Sequence, residues 1–179
     1  EMCIRDSDTK GDITHRDYKG YGGNHYINNS GRNDIVLSKV AVDKENVYFY
    51  VQTANPITSS TDPNWMLLLI DADNNYSTGW YGYDYLINQS VVDNTSTQIK
   101  WYDNTKNEWV KKNVLAYKAK GNCLELAVSR KDLGLLEDAF VFDFKWADNP
   151  KELKDPISLC TDGDTAPNRR FNYRCIWKK

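Results

Sequence analysis

Residues 65–88, WMLLLIDADNNYSTGWYGYDYLIN, indicate the fold class of this chain. The apolar run 66–70 ends in the acidic segment DADNN (71–75), and a short apolar run bounded by turn residues is typical of a strand buried in a sheet. Segment 82–88 then alternates in polarity, as a half-buried strand does. The stretch therefore predicts a β-hairpin that combines a core strand, oxygen-bearing side chains and aromatic rings. This mixture favours ligand binding over catalysis.

Further short strands are predicted on both sides of this hairpin. Segment 129–134 predicts a single helical turn, with Ser129 as its cap and Gly134 as its stop. Roughly eight to ten short strands with almost no helix predict an all-β fold, an antiparallel β-sandwich of the jelly-roll type. The other predicted strands are 35–42, 47–53, 97–102, 108–119, 123–128 and 140–148.

Composition narrows the classes of function. A chain of 179 residues with a net charge of -2 fits one domain and lacks the basic surface that nucleic acid or anionic membrane requires. No apolar run approaches the 18 or so residues that a membrane span needs. The 12 Tyr and 6 Trp suit sugar-binding platforms and buried sandwich cores alike. The aromatic content alone therefore decides neither role.

The first residues differ in character from the rest. Met2 to Asp6 (MCIRD) resembles a translated sequencing-library adapter, a contaminant of metagenomic assemblies, so residues 1–7 are predicted to be non-native and residues 8–179 to form one module. A native exposed terminus is the alternative. Cys160 and Cys175 bracket a polar loop, so they are predicted either to form a disulfide, as suits an exported protein, or to remain two unpaired thiols.

A metal site is predicted in the central hairpin. Its candidate ligands are oxygens at alternate positions of a tight loop and one carboxylate on the following strand: Asp71, Asp73, Asn75 and Asp84. Such oxygens suit calcium. An EF-hand is excluded because its twelfth position needs Glu and is Gly82 here. A solvated Asx turn is the alternative. A weaker second candidate is formed by Asp162 and Asp164.

The order of motifs carries a resemblance. The chain resembles the family-nine-like carbohydrate-binding modules, also described as DOMON-like jelly rolls, which are accessory domains of exported bacterial polysaccharide-degrading enzymes. The segments that carry the likeness are VAVDKENVYFYVQT (40–53), WMLLLIDAD (65–73), TGWYGYDYLIN (78–88), LELAVSRKDLG (124–134) and FDFKWADN (142–149).

This resemblance has several implications. It implies structural calcium, a pair of Trp side chains that clamp a terminal sugar, and a secreted, periplasmic or cell-surface location beside a linked catalytic domain. The sequence departs from the family pattern at its start. An IDG…DW-type strand is expected where the adapter-like residues stand, so an edge strand is predicted to be missing.

Sugar binding needs a flat ring to stack on a pyranose and polar groups to bond its hydroxyls. Trp80 and Tyr81 occupy a loop apex, where their rings are predicted to be exposed. Trp146 is followed by Asn149 near a strand end, although alternation with Phe142 and Phe144 also suits the core. Additional hydrogen-bonding groups are predicted from Arg170, Asn172 and Tyr173.

The leading hypothesis is non-catalytic carbohydrate binding, in which the module tethers a linked glycoside hydrolase to a poly- or oligosaccharide. Two alternatives stay open. One is a jelly-roll glycosidase with paired carboxylates, although no pair is singled out by its spacing. The other is a structural or interaction domain of a larger exported enzyme, whose aromatic residues are all core.

Overall fold

Antiparallel strands dominate residues 2–13 and 15–178, the part of the chain that the computed structural model describes; for residues 2 and 3 only the backbone is described. The strands are β1 Met2–Ser7, β2 Arg16–Lys19, β3 His25–Asn28, β4 Ile35–Val42, β5 Asn46–Thr53, β6 Leu67–Asp71, β7 Tyr85–Val91, β8 Ser96–Asp103, β9 Glu108–Lys120, β10 Cys123–Ser129, β11 Ala139–Asp148, β12 Asp164–Ala166 and β13 Tyr173–Lys178. One short helix, α1, covers Ser158–Thr161.

One curled sheet contains most of these strands. Its order is β1-β4-β5-β10-β9-β8-β7-β6-β11-β12, and β13 also pairs with β11, whereas β2 and β3 form a separate two-stranded sheet. Strand β9 turns the corner, because residues 108–116 pair with β8 and residues 117–120 pair with β10. The predicted all-β sandwich is therefore confirmed.

The two layers of the sandwich meet through aromatic side chains. We call β1, β4, β5 and β10 the first layer, and β8, β7, β6, β11 and β13 the second layer. Phe49 of β5 contacts Phe142 and Phe144 of β11, with ring centroids 5.9 and 5.4 Å apart. These strands are not neighbours in the sheet, so the contacts cross the interior. Edge-to-face pairs of this kind add to the free energy gained from burial alone.

Strand β6 is buried on both of its faces. Leu68 and Ile70 belong to the core between the layers. Leu67 and Leu69 point the other way, into a second apolar cluster on the outer face of the second layer. A strand covered on both faces reads as a continuous apolar run rather than an alternating one. This explains the uninterrupted sequence and confirms the predicted central strand, which begins at Leu67, whereas Trp65 and Met66 lie in the preceding turn.

The predicted helical turn at 129–134 is present as a single turn. Leu133 N donates to Ser129 O at 3.2 Å, and Lys131 N donates to the Ser129 side-chain oxygen at 3.2 Å, so Ser129 acts as the expected cap. Gly134 has φ +72°, a left-handed conformation that ends the turn. The predicted helix stop is therefore confirmed.

The segment between residues 160 and 175 differs from the predicted polar loop. Helix α1 and strand β12 intervene, and β12 and β13 each pair with β11 rather than with one another. Cys160 carries a free thiol that donates to Arg169 O at 3.0 Å, so the Cys160–Cys175 disulfide is not formed. Sequence pattern missed α1 because four residues show no helical periodicity.

The adapter-like residues occupy the edge of the first layer. Residues 2–7 form β1, which pairs antiparallel with β4. Residue 1, part of the predicted non-native segment, lies outside the described residues. Backbone pairing does not test the origin of a sequence, so a non-native source for residues 1–7 stays a prediction. No helix in the described part of the chain has the length and apolar character needed to cross a membrane.

Candidate functional site

The candidate aromatic residues lie in a tight turn within the central stretch 65–88, and this turn, residues 80–83, is called the hairpin below. Trp80 N donates to Tyr83 O at 2.8 Å, and Tyr83 N donates to Trp80 O at 3.1 Å. The two residues between them, Tyr81 and Gly82, have φ +52° and +96°, and positive φ at both central positions is the mark of a type I′ turn. Tyr81 therefore stands at the apex, while Trp80 and Tyr83 lie at its base.

The predicted exposure of Trp80 is wrong. Its side chain is only 5% exposed and packs with Leu69 in the second apolar cluster. Its ring centroid lies 6.2 Å from that of Trp109. The physical reason is that β6 needs cover on its outer face, and the base of the hairpin supplies it. Tyr81 at the apex is 56% exposed, as predicted.

The hairpin forms one wall of a pocket of about 310 Å³, and residues 155–172 form the opposite wall. Tyr76 and Tyr81 stand at its rim, 86% and 56% exposed. Arg170 and Asn172 line the opposite side. The structure thus brings Tyr81 next to Arg170 and Asn172, although about 90 residues separate Tyr81 from these two in the sequence.

The pocket floor fixes the orientation of one polar group. Tyr83 OH donates to Asn172 Oδ1 at 2.7 Å. Burial raises the pKa of Tyr83 above its usual range, so the phenol stays neutral and remains a donor at physiological pH. Because Oδ1 is engaged, the amide Nδ2 of Asn172, which has no protein acceptor among the described residues, is presented as a donor.

A buried lysine holds the second wall in place. Lys145 of β11 lines the pocket, is 2% exposed, and donates from Nζ to Phe171 O at 2.9 Å and to Pro167 O. Burial lowers the pKa of Lys145 to about 8. Its ammonium group therefore ties residues 167–171 to the sheet and positions Arg170 between them.

Three other predicted sugar contacts lie outside this pocket. Trp146 is fully buried in the core, as its alternative reading predicted. Tyr173 is 7% exposed and packs on Phe144, with ring centroids 5.2 Å apart. Asn149 donates from Nδ2 to Ser30 Oγ at 3.1 Å. Their burial or their local partners remove them from the set that lines the pocket.

Sequence reasoning missed several lining residues, including Tyr83 and Lys145 described above and two residues on the surface. Tyr76 is the most exposed ring at the rim, and Arg169 stands beside Arg170. Tyr76 sits in the polar turn NNYSTG, and a large aromatic residue in such a turn was the available signal. Nothing in the sequence distinguishes Arg169 from the other surface cations.

Next to the pocket, three of the predicted metal ligands converge. Asp71, Asp73 and Asp84 each place one carboxylate oxygen within 4.8 Å of the others. Asp71 also lines the pocket. The return of Asp84 to the 71–75 loop is fixed by a hydrogen bond, since Ala72 N donates to Asp84 Oδ2 at 2.8 Å. The strand that follows the hairpin thus closes the cluster.

The electrostatics of this cluster are unfavourable without a cation. Asp71 Oδ1 is buried and has no hydrogen-bond partner among the described residues. Burial, followed by the charges of Asp73 and Asp71, raises the pKa of Asp84 to about 6. Burial also raises the pKa of Asp71. Three oxygen donors in this state suit a hard cation.

Asn75 serves the turn itself. Asn75 Oδ1 accepts from Ser77 N at 3.0 Å, and Asp73 Oδ1 accepts from Asn75 N at 2.8 Å. These are Asx-turn bonds, so the alternative reading of the loop describes part of it. Asp162 and Asp164, the second predicted pair of metal ligands, do not form one site together. Asp162 Oδ2 accepts from Lys151 N at 3.0 Å, whereas Asp164 joins a different acidic cluster.

Comparison with known proteins gave no match. No family model matches the chain, and neither the curated proteins nor the solved structures contain a match. The assignment of function therefore depends on the geometry of the pocket and of the acidic cluster.

Proposed function

We propose that this domain is a non-catalytic carbohydrate-binding module that tethers a linked glycoside hydrolase to its polysaccharide. The single observation that carries the proposal is the pocket in which exposed Tyr76 and Tyr81 face Arg170 and Asn172. Its volume of about 310 Å³ lies at the small end of ligand pockets, which range over about 300–1,000 Å³.

The chemistry of the pocket suits a sugar. A tyrosine ring offers a flat apolar face for the C–H groups of a pyranose, and it loses little side-chain entropy on binding. Asn172 Nδ2 and the Arg170 guanidinium offer donors for hydroxyl oxygens. Both tyrosine rings at the rim are already exposed, so they can contact a ligand without a rearrangement of the core.

Calcium belongs to the same proposal. The buried Asp71 Oδ1, which has no hydrogen-bond partner among the described residues, supports a donor set for a hard cation. Asp71, Asp73 and Asp84 would hold the ion, which would supply the positive charge that these carboxylates lack. Since these residues begin and end the segment that carries Tyr76 and Tyr81, an ion there would stabilise the rim. A secreted, periplasmic or cell-surface location follows from the resemblance and is part of the proposal.

Glycan titration by calorimetry tests the proposal on the full chain. Tyr81→Ala is expected to weaken binding at least tenfold, which corresponds to about 1.4 kcal/mol. Tyr21→Ala is the matched control, because Tyr21 is 97% exposed and does not line the pocket. Its affinity is expected to equal that of the wild type.

Two results would contradict the proposal. One is the absence of binding to every glycan of a plant and microbial panel. The other is release of reducing sugar by the isolated domain, which would favour a jelly-roll glycosidase. For calcium, chelation is expected to lower the melting temperature of the wild type by more than that of Asp84→Asn. An equal shift in both proteins would place any stabilising ion elsewhere.

A further inference from the structure

A second acidic cluster includes Asp164 of the 155–172 segment. Asp12, Asp34 and Asp164 each place one carboxylate oxygen within 4.8 Å of the others. They come from three distant parts of the chain: the segment after β1, the residue before β4, and the start of β12. Burial, followed by the charges of Asp12 and Asp8, raises the pKa of Asp164 to about 8, so Asp8 also lies near the cluster.

Buried oxygens without partners distinguish this cluster from an ordinary acidic surface. Asp34 is 6% exposed and Asp164 is 5% exposed. Asp34 Oδ1, Asp12 Oδ1 and Asp8 Oδ2 are each buried and have no hydrogen-bond partner among the described residues. A buried carboxylate oxygen without a partner costs free energy, so native proteins normally satisfy it with a donor or a cation.

The other oxygens of these side chains are held firmly. Asp34 Oδ2 accepts from Gly11 N at 2.9 Å, and Asp164 Oδ2 accepts from Ile35 N at 2.8 Å. Asn168 Nδ2 donates to Asp12 Oδ2 at 2.7 Å and also to Asp8 Oδ1 at 2.7 Å. The backbone and one amide thus fix Asp34, Asp12 and Asp8 on one side and leave the second oxygen of each without a donor among the described residues. Asp164 is held on both sides, since its Oδ1 accepts from Thr165 N at 2.9 Å.

The cations near the cluster donate their hydrogen bonds elsewhere. Lys145 Nζ donates to the carbonyl oxygens of Pro167 and Phe171, and Arg16 donates to the carbonyl oxygen of Gly163. Among the described residues, no ion pair is formed by Asp12, Asp34 or Asp164. Lys145 and Arg16 thus direct their hydrogen bonds to carbonyl oxygens rather than to these carboxylates.

We propose that Asp12, Asp34 and Asp164, with Asp8 beside them, form a second divalent-cation site that takes Ca²⁺. Calcium binds six to eight oxygens at about 2.3–2.6 Å, so two ligands on opposite sides of the ion lie about 4.6–5.2 Å apart. The spacing of the three oxygens fits this geometry. Asp12 and Asp164 also line a pocket of about 710 Å³, through which an ion and its remaining water ligands reach the site.

The ion would connect the two layers of the sandwich by binding ligands from both. Asp34 directly precedes β4 of the first layer, whereas Asp164 begins β12, which pairs with β11 of the second layer. Asp12 adds the segment that follows β1. This site shares no ligand with the cluster of Asp71, Asp73 and Asp84, and its existence does not depend on sugar binding.

Calcium titration of the chelated full chain by calorimetry, with Tb³⁺ luminescence as a second readout, tests the proposal. The wild type is expected to bind two equivalents and Asp34→Asn one, because the amide keeps the acceptor for Gly11 N but loses the charge. Asp84→Asn is expected to lose the other equivalent. The matched control is Asp162→Asn, a buried aspartate two residues from Asp164 that accepts from Lys151 N instead; it is expected to retain both.

Two results would overturn the proposal. One is a full complement of calcium in Asp34→Asn; the other is a wild type that binds one equivalent, which Asp84→Asn removes. Should Asp34→Asn fail to fold, Asp12→Asn is the substitute, because Asp12 is only partly buried and its change disturbs less packing. Glycan affinity is measured separately with Tyr81→Ala, so failure of the sugar proposal leaves this experiment fully interpretable.

Discussion

Replacing Trp80 by alanine separates a core role from a sugar-binding role. Trp80 is 5% exposed and lies against Trp109, Tyr83 and Leu69, so the substitution leaves a large cavity between the hairpin and β6. Truncation of a buried tryptophan or phenylalanine costs about 3–5 kcal/mol. For a domain of this size, each 1 kcal/mol corresponds to about 2–4 °C, so the melting temperature is expected to fall by roughly 6–20 °C.

The neighbouring residue supplies the control. Tyr81→Ala removes a ring that is 56% exposed and touches Trp80 edge-on, with centroids 5.5 Å apart, so its cost in stability is expected to be about 1 kcal/mol or less. Urea unfolding followed by far-UV circular dichroism measures both variants without relying on the fluorescence of the deleted ring. A Trp80→Ala protein as stable as Tyr81→Ala, but unable to bind glycan, would refute the burial argument and restore Trp80 as a ligand contact.

Three further outcomes are expected. Gly79→Ala places a Cβ 2.3 Å from Tyr83 O at φ +68°, so this variant is expected to lose both stability and glycan affinity. Gly121→Ala, with φ +61° and no atom within 4 Å of the added Cβ, is expected to lose stability only. Equal glycan affinities of the two variants would contradict this expectation. Because the pKa of Lys145 is lowered to about 8, the native protein loses this proton at a lower pH than the unfolded chain does. The free energy of unfolding of the wild type, compared with that of Lys145→Met, is therefore expected to rise between pH 8 and 9.5 by at most about 1.4 kcal/mol per pH unit. A difference that does not change with pH would count against this reasoning. Arg130→Lys is expected to lower the free energy of unfolding by about 2 kcal/mol or more, as measured by chemical unfolding. The buried guanidinium donates to three backbone carbonyls, which one ammonium group cannot satisfy together. A smaller loss would show that those hydrogen bonds are replaceable.

Much of the fold was available from the sequence because it depends on local pattern. Side chains alternate across a strand with a period of two, so segments such as 47–53 and 124–128 reveal a half-buried sheet without knowledge of their partners. The apolar run 66–70 likewise indicates a strand covered on both faces. Three of the four predicted metal ligands converge for a related reason: a hairpin returns Asp84 to the loop that starts at Asp71.

The burial of particular aromatic residues was not available from the sequence. Trp80 and Tyr81 are adjacent and similar in character, yet one is in a cluster and the other is exposed. Their difference follows from the turn geometry at positions 81 and 82 and from the need to cover β6. Trp146 could be placed in the core by its alternation, because that argument uses only its own strand.

The sequence by itself determined an all-β sandwich, a doubly buried central strand and an acidic hairpin, since each follows from residues within one or two neighbouring strands. Only the tertiary structure decided which rings face solvent, which wall opposes Tyr81, and that Asp12, Asp34 and Asp164 share one buried site. These features join residues up to about 150 positions apart in the sequence. The backbone period encodes which face a side chain takes, but the cover over that face comes from elsewhere in the chain.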